Sequence, residues 1–545
     1  MAYTHAKYAQ SKTPPVNSGL KPFKGKWTEA EARHLLKRTQ FGAKPADVKD
    51  FARLSVAQCV SILINTAEPA PLPPVNDYND INFTDPDVPA GETWVNVVKS
   101  VGTQNFKRQN SLKIWWTGQM LFQSRTIREK MVVFLHNHFV TETRIVGSYM
   151  AYQYNALLRD HALGNFKTLV KQISINAAML RYLNGAQNTK KAPDENYARE
   201  LQELFTVGKG PGSHYTEADV KAAAKVLTGY TINNTTGTYQ FVPDKHDEGD
   251  KSFSAFYNNH VIHGRKGKEG EQELDELLDM IFAKEEVSCF ICRKLYRFFV
   301  YHHIDEHTEK NIIVPLAQTF RKSNYEIKPV LQQLLQSTHF YDMANRGGII
   351  KSPLDFAAGM YREFDIQLSK DIDIVSKSRI VQRIYQFAAT TQQNIGDPPN
   401  VAGWPSWYQE PLYDKLWINS DTYPKRSRFA ISVIQQGINF QENCIARVDI
   451  IEFAKKTSDP SQPDVLINDS IQLLYPCNLS ETERTQIKNS ILLTNMQGNM
   501  GDHYWTQAWL QMLQKPDDKT IRNNVLNRLN NLYKYLVSLP QYQLC

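Results

Sequence analysis

Asn196-Tyr-Ala-Arg199-Glu200-Leu-Gln-Glu203-Leu-Phe-Thr-Val-Gly208 carries two stripes at helical spacing. Asn196, Glu200 and Glu203 stand at i, i+4 and i+7 and share one side of a regular helix, with Arg199 beside them. Leu201, Leu204 and Phe205, at i, i+3 and i+4, make the apolar side that faces a core. Pro193-Asp194 supplies the start signal, and Gly208 is the residue type that lets a chain leave a helix with positive φ. The helix is therefore either an active-site wall or a surface on which Glu200 and Glu203 pair with Arg199 and nearby lysines.

The same period recurs on both sides of that helix. Trp27 to Thr66 reads as two helices, the first capped near Thr28 with Glu29 and Glu31 at its positive end. Pro69, Pro71, Pro73 and Pro74 place a long surface loop over 67–87. Helices follow through 105–139, 149–163, 166–174, 176–183 and 197–207, and Thr216-Glu-Ala-Asp219 supplies a capping box for the next. Strand signals gather at one place, where Tyr230-Thr-Ile232 and Thr238 to Val242 flank the turn-rich Asn233-Asn-Thr-Thr-Gly237. Helical patterns resume over 274–282, 287–302, 312–321, 327–336, 356–364 and 375–391. The expected fold is mainly α, a large multi-helix array with one small β-hairpin insertion. Residues 1–26, polar and proline-bearing, read as an extended N-terminal arm, and 431–545 as a C-terminal helical cap.

Two further polar clusters accompany the opening helix. Arg128-Glu-Lys-Met-Val-Val-Phe-Leu-His136-Asn137-His138-Phe139 is an apolar helix ending in two histidines. Residues two apart on a helix point to different sides, so these imidazoles converge only if the helix stops there, which Thr141-Glu142-Thr143 favours. After the hairpin comes Asp244-Lys-His246-Asp247-Glu-Gly-Asp-Lys251. Histidine and carboxylate from separate segments are what a first-row metal or an acid and base pair needs. No spacing matches a zinc motif such as H-E-x-x-H. The same groups serve equally as a satisfied buried network.

The helical period breaks at Asn394-Ile-Gly396-Asp-Pro398-Pro399-Asn400-Val-Ala-Gly403-Trp404-Pro405-Ser-Trp407-Tyr408. Loops on a rigid frame often carry binding groups, and Trp404, Trp407, Tyr408 and Trp417 would either stack on a sugar ring or seal the core beneath the loop.

Composition bounds the partners. The 545 residues include 63 Lys and Arg against 56 Asp and Glu, and this small excess is spread along the chain without the basic stripe of a nucleic-acid protein. Lys190-Lys191 and Arg265-Lys266-Gly-Lys268 read as solvated surface. At 41% apolar residues the chain can build a genuine core, while no apolar run reaches membrane-spanning length. The six cysteines do not make a disulfide scaffold, and Cys289-Phe-Ile-Cys292 lies in a helical pattern as small core residues. Met1 to Trp27 holds no apolar leader core, which predicts a cytoplasmic protein, or an exported one if a leader has been removed.

Several segments together resemble the bacterial domain-of-unknown-function family 1800 (DUF1800). They include Ala32-Arg33-His34-Leu-Leu-Lys37-Arg38-Thr-Gln-Phe-Gly42, Phe134 to Phe139, Asn196 to Phe205, Leu227-Thr-Gly229-Tyr-Thr231, His246-Asp247 and Pro398 to Pro405, spread over about 30–430. The resemblance implies one helical domain over 27–430, in a protein often encoded beside an alkaline-phosphatase-like one, which is the expected partner. Family motif positions fall on His136, His138, Asn196, Glu200, Glu203, His246 and Trp404, and no catalytic assignment comes with them. Two readings follow. In one, a metal-assisted hydrolase acts on a carbohydrate or polymer. Glu200, Glu203 and Asp247 are its acid and base groups, and His136, His138 and His246 hold a divalent metal. Asn196, Arg199, Lys251 and Trp404 then bind substrate. In the other, a non-catalytic scaffold or partner protein buries the same groups as a structural network.

Overall fold

Several helices start at side chains that meet otherwise unbonded N–H groups. Thr28 opens Glu29–Thr39 with a capping box closed by Glu31, and Thr216 opens Glu217–Val226 with one closed by Asp219. The computed structural model describes residues 18–369, 371–441, 444–495 and 500–545. Within them the protein is mainly α. The expected helix over 105–139 is two, Gly102–Phe122 and Arg128–His138.

The hairpin forms where the turn chemistry placed it. Tyr230–Ile232 pairs antiparallel with Tyr239–Phe241, and the Asn233 side chain accepts from the N–H groups of Thr235 and Thr236 inside the turn. Two more two-stranded ribbons were not anticipated, Lys251–Ser252 with Val261–Ile262 and Ile438–Gln441 with Cys444–Ala446. Strands this short carry too little alternation to be read from sequence.

Long-range contacts join the first helix, Glu29–Thr39, and the C-terminal helices to one core. Glu29–Thr39 is buried along nearly its whole length despite Arg33, His34, Lys37 and Arg38. Those polar groups find distant partners. Lys37 donates to Leu474 O at 2.6 Å and pairs with Glu363 at 2.9 Å, and Arg38 donates to Asn345 O at 2.7 Å. Residues 431–545 pack back onto the preceding helices. Lys519–Ser538 lies against Thr422–Gln436, and the Cys545 N–H donates to Ile349 O at 2.9 Å. Of the expected arm, residues 1–17 lie outside the described residues. The remainder runs beside 336–339, with Phe23 N–H donating to Gln336 O at 2.8 Å.

The proline-bearing loop after the third helix is pinned. Arg108 grips Asp85 with two hydrogen bonds of 2.9 and 2.8 Å, both side chains at 0% exposure. A bidentate guanidinium fixes its partner in angle as well as distance. Among the described residues no helix is long and apolar enough to cross a membrane.

Candidate functional site

Asn196–Glu200 is α-helical, but the next turn, Leu201–Thr206, is a π-helix. Val207 N–H donates to Gln202 O at 2.9 Å, five residues back. Gln202 is buried here, its amide donating to Ala198 O at 3.2 Å and its carbonyl accepting from the Tyr257 hydroxyl at 2.8 Å. The Thr206 hydroxyl donates to Leu201 O at 2.5 Å. Side chains thus supplement the backbone bonds of the wide turn, a helix defect found frequently at functional sites. The regular three-residue stripe ends at Glu200, although Glu203 remains near enough to act on it.

One oxygen of Glu200 is buried with no hydrogen-bond partner among the described residues. Burial, reinforced by the negative charge of Glu203, raises its carboxyl above the usual range, with Lys209 and Arg199 opposing. Glu203 itself pairs with exposed Lys209. Arg199 is occupied by Glu217, through two bonds of 2.7 Å, and by Glu195 at 3.2 Å. Asn196 is exposed at the helix start, its N–H donating to Asp194.

Residues not nominated from sequence extend this face. The Tyr182 hydroxyl donates to buried Glu142 at 3.2 Å, and burial, then Glu142, then Glu200 push its pKa upward. Glu142 pairs with Arg144, whose N–H donates to Asp397 at 3.2 Å, and Asp397 pairs with Lys113. A polar seam therefore runs from Glu203 through Glu200, Tyr182, Glu142 and Asp397 to Lys113. In the sequence Thr141-Glu142-Thr143 signals only a helix stop, and Asp397 only a loop position.

The two histidines of Arg128–His138 diverge because the helix continues through both. His136 lies edge-on to Trp116 with centroids 5.1 Å apart, and its Nε2 is buried without a hydrogen-bond partner. Burial lowers its pKa to about 4. His138 faces the opposite side, where Nε2 donates to Phe205 O at 3.0 Å and Nδ1 accepts from Lys294 at 3.0 Å. Both ring nitrogens are used. Burial holds this imidazole neutral, and burial together with Arg297 lowers Lys294 to about 7.

His246 stands in a third environment, with Nδ1 donating to Thr228 O at 2.9 Å and Nε2 facing Glu273 at 3.2 Å. Glu273 accepts from Lys251 at 2.6 Å and from Arg265 N–H at 2.7 Å. Burial alone would raise the Glu273 carboxyl, but His246, Lys251 and that N–H outweigh it and hold the carboxyl low. Asp247 is a turn residue that accepts from Gly249 N–H at 2.9 Å. Among the described residues no group of three or more His, Cys, Asp or Glu is placed to hold a metal ion. The expected set of His136, His138 and His246 is thus split among three environments.

Two nominated substrate contacts are core residues. Lys251 is 1% exposed. Trp404 is also 1% exposed and packs on His136 and Trp407, so it seals the loop. Its backbone N–H donates to the Asn137 side-chain carbonyl at 2.8 Å. Gly403 is required beside it: φ is +95°, and a Cβ would sit 2.2 Å from Asn137 Oδ1. Cys292 is buried and Cys289 half-buried in Glu285–Phe299, both as free thiols.

The profile of a protein family described as "Protein of unknown function (DUF1800)" matches residues 34–544. The chain belongs to the DUF1800 family. The DUF1800 match extends past residue 430 and ends at 544, so it includes the C-terminal helices. Comparison with curated proteins finds no match. Comparison with solved structures finds none either.

Proposed function

We propose that this DUF1800 protein is a non-catalytic scaffold or partner protein whose polar clusters lock helices and ribbons into one frame. The observation that carries this reading is the His246, Glu273 and Lys251 triad, all at 0–1% exposure, in which Glu273 accepts from Lys251 and from the Arg265 backbone N–H and faces His246 Nε2 at 3.2 Å. Groups enclosed this deeply and bonded to one another are closed to a substrate and serve to join the elements that carry them. The His138 and Lys294 pair adds a second buried cluster, in which both ring nitrogens of His138 are bonded. Metal analysis by ICP mass spectrometry on protein purified without chelator or histidine tag tests the reading. A scaffold gives no stoichiometric metal in the wild type. Near-stoichiometric divalent metal that both His136→Ala and His246→Ala abolish would overturn it. The alkaline-phosphatase-like neighbour implied by the resemblance is the partner to try first, by mixing the two purified proteins and measuring their mass in solution.

A second reading rests on Glu200. A carboxyl with an unpartnered buried oxygen and a raised pKa, beside Glu203 paired with Lys209, has the asymmetry of an acid and base pair. In that reading the seam hydrolyses a carbohydrate or polymer without the three-histidine metal. Its test is release of reducing ends from a panel of polysaccharides, lost in Glu200→Gln. No release from any of them by the wild type would count against it.

A further inference from the structure

A cavity of about 630 Å³ lies between the helix Glu29–Thr39 and the segment 455–478. It sits where the long helical region meets the C-terminal helices, and internal boundaries of this kind are common ligand sites. Six cationic side chains, Arg33, Lys37, Lys49, Arg346, Lys455 and Lys456, line it against two side-chain carboxylates, Glu29 and Asp469.

The charges are unequally matched. Lys37, Lys455 and Lys456 have carboxylate partners within 3 Å, in Glu363, Glu452 and Asp365. Asp469 is occupied by the N–H and hydroxyl of Ser458, both at 2.7 Å. Arg33 is 7% exposed, yet its ion pair is a long contact of 3.4 Å to Glu29. A guanidinium carries five N–H donors, so among the described residues most of its capacity is unused. Arg346 pairs with Glu31 through one terminal nitrogen, and its Nε is buried with no hydrogen-bond partner among the described residues. Lys49 is exposed at the rim with no ion pair among the described residues.

A cationic hollow with two under-used guanidinium groups suits an oxyanion, because the planar fork of arginine matches both phosphate and carboxylate. Its volume is that of a small-molecule site and exceeds what one inorganic ion fills. Thr457, Gln472 and Asn478 add neutral hydrogen-bonding groups to the wall. We propose that this cavity binds a small polyanion carrying phosphate or carboxylate groups, gripped by Arg33 and Arg346 with Lys49 at the entrance. This goes beyond the buried-network reading, since none of these residues belongs to the triad around Glu273.

Full-length protein titrated calorimetrically with pyrophosphate and with citrate at low ionic strength tests the proposal, the two probes separating phosphate from carboxylate recognition. At least one probe is expected to bind, about tenfold more weakly to Arg33→Gln and more weakly still as salt is added. A variant of the exposed cluster elsewhere, Lys266→Gln with Lys268→Gln, should bind as the wild type does. Should circular dichroism show that Arg33→Gln does not fold, the exposed Lys49→Gln takes its place, with a several-fold loss expected. Failure of folded wild type to bind either probe overturns the proposal. So does wild-type affinity in the folded Arg33→Gln or Lys49→Gln variant.

Discussion

The Lys251 ammonium lies 2.6 Å from a Glu273 oxygen with both side chains at 0% exposure. Glu273 opens the helix Glu273–Phe282 and Lys251 opens a two-residue strand, so one ion pair ties a helix to a ribbon too short to hold itself. Taking two charges out of water is costly, and the close geometry and added hydrogen bonds offset that cost. His246, from the turn before the ribbon, completes the joint.

Glu200 should behave in the opposite way. Its raised pKa means that the folded state holds the proton more tightly than the unfolded state, so ionising it destabilises the fold as pH rises above the normal glutamate range. Glu200→Gln is therefore expected to be neutral, or stabilising by up to about 1 kcal/mol near neutral pH. Urea unfolding of the two proteins checks this, and a clear loss of stability would show that Glu200 has a stabilising partner.

Acid should weaken the protein through its buried imidazoles. The folded-state pKa values of His136 and His339 are lowered to about 4, chiefly by burial, from an unfolded value near 6.5. The unfolded state then binds more protons between these limits, so stability is full above about pH 6.5 and falls as pH drops toward 4. The loss between pH 6.5 and 5 is about 2 kcal/mol for each such histidine. Denaturant titrations at several pH values should show this slope, and His136→Phe, which keeps a ring against Trp116, should reduce it.

Gly403→Ala tests the seal under the aromatic loop. The added methyl would press on Asn137 at a φ that L side chains rarely adopt. A loss of about 2 kcal/mol or more is expected, with a red shift in tryptophan emission as Trp404 is exposed. Unchanged emission and stability would mean that the loop is free to move.

Local chemistry made much of the fold legible. The boxes at Thr28 and Thr216, the stop at Gly208 (φ +83°) and the turn at Asn233 each depend on residues within a few positions of one another. What escaped depends on distant partners. The π turn is accompanied by a bond between Gln202 and Tyr257. The burial of Lys37 and Arg38 is made tolerable by Glu363 and by backbone carbonyls some 300 residues away. For the candidate site, sequence supplied Glu200, Glu203 and His246. It could not supply Glu273, which follows His246 by 27 positions and meets it only through the fold. Nor could it show that Trp404, in a loop dense in Gly and Pro, would be 1% exposed.

The central claim is that the buried ionic groups hold the frame together, and a double-mutant cycle on Glu273 and Lys251 tests it most directly. Urea unfolding would be measured for the wild type, Glu273→Gln, Lys251→Met and the double variant. Each single change should cost about 3–5 kcal/mol by leaving its partner buried and unpaired, and the double variant should cost much less than their sum. Single variants as stable as the wild type would contradict the account, because residues kept for catalysis can be replaced without loss of stability and residues kept for the frame cannot.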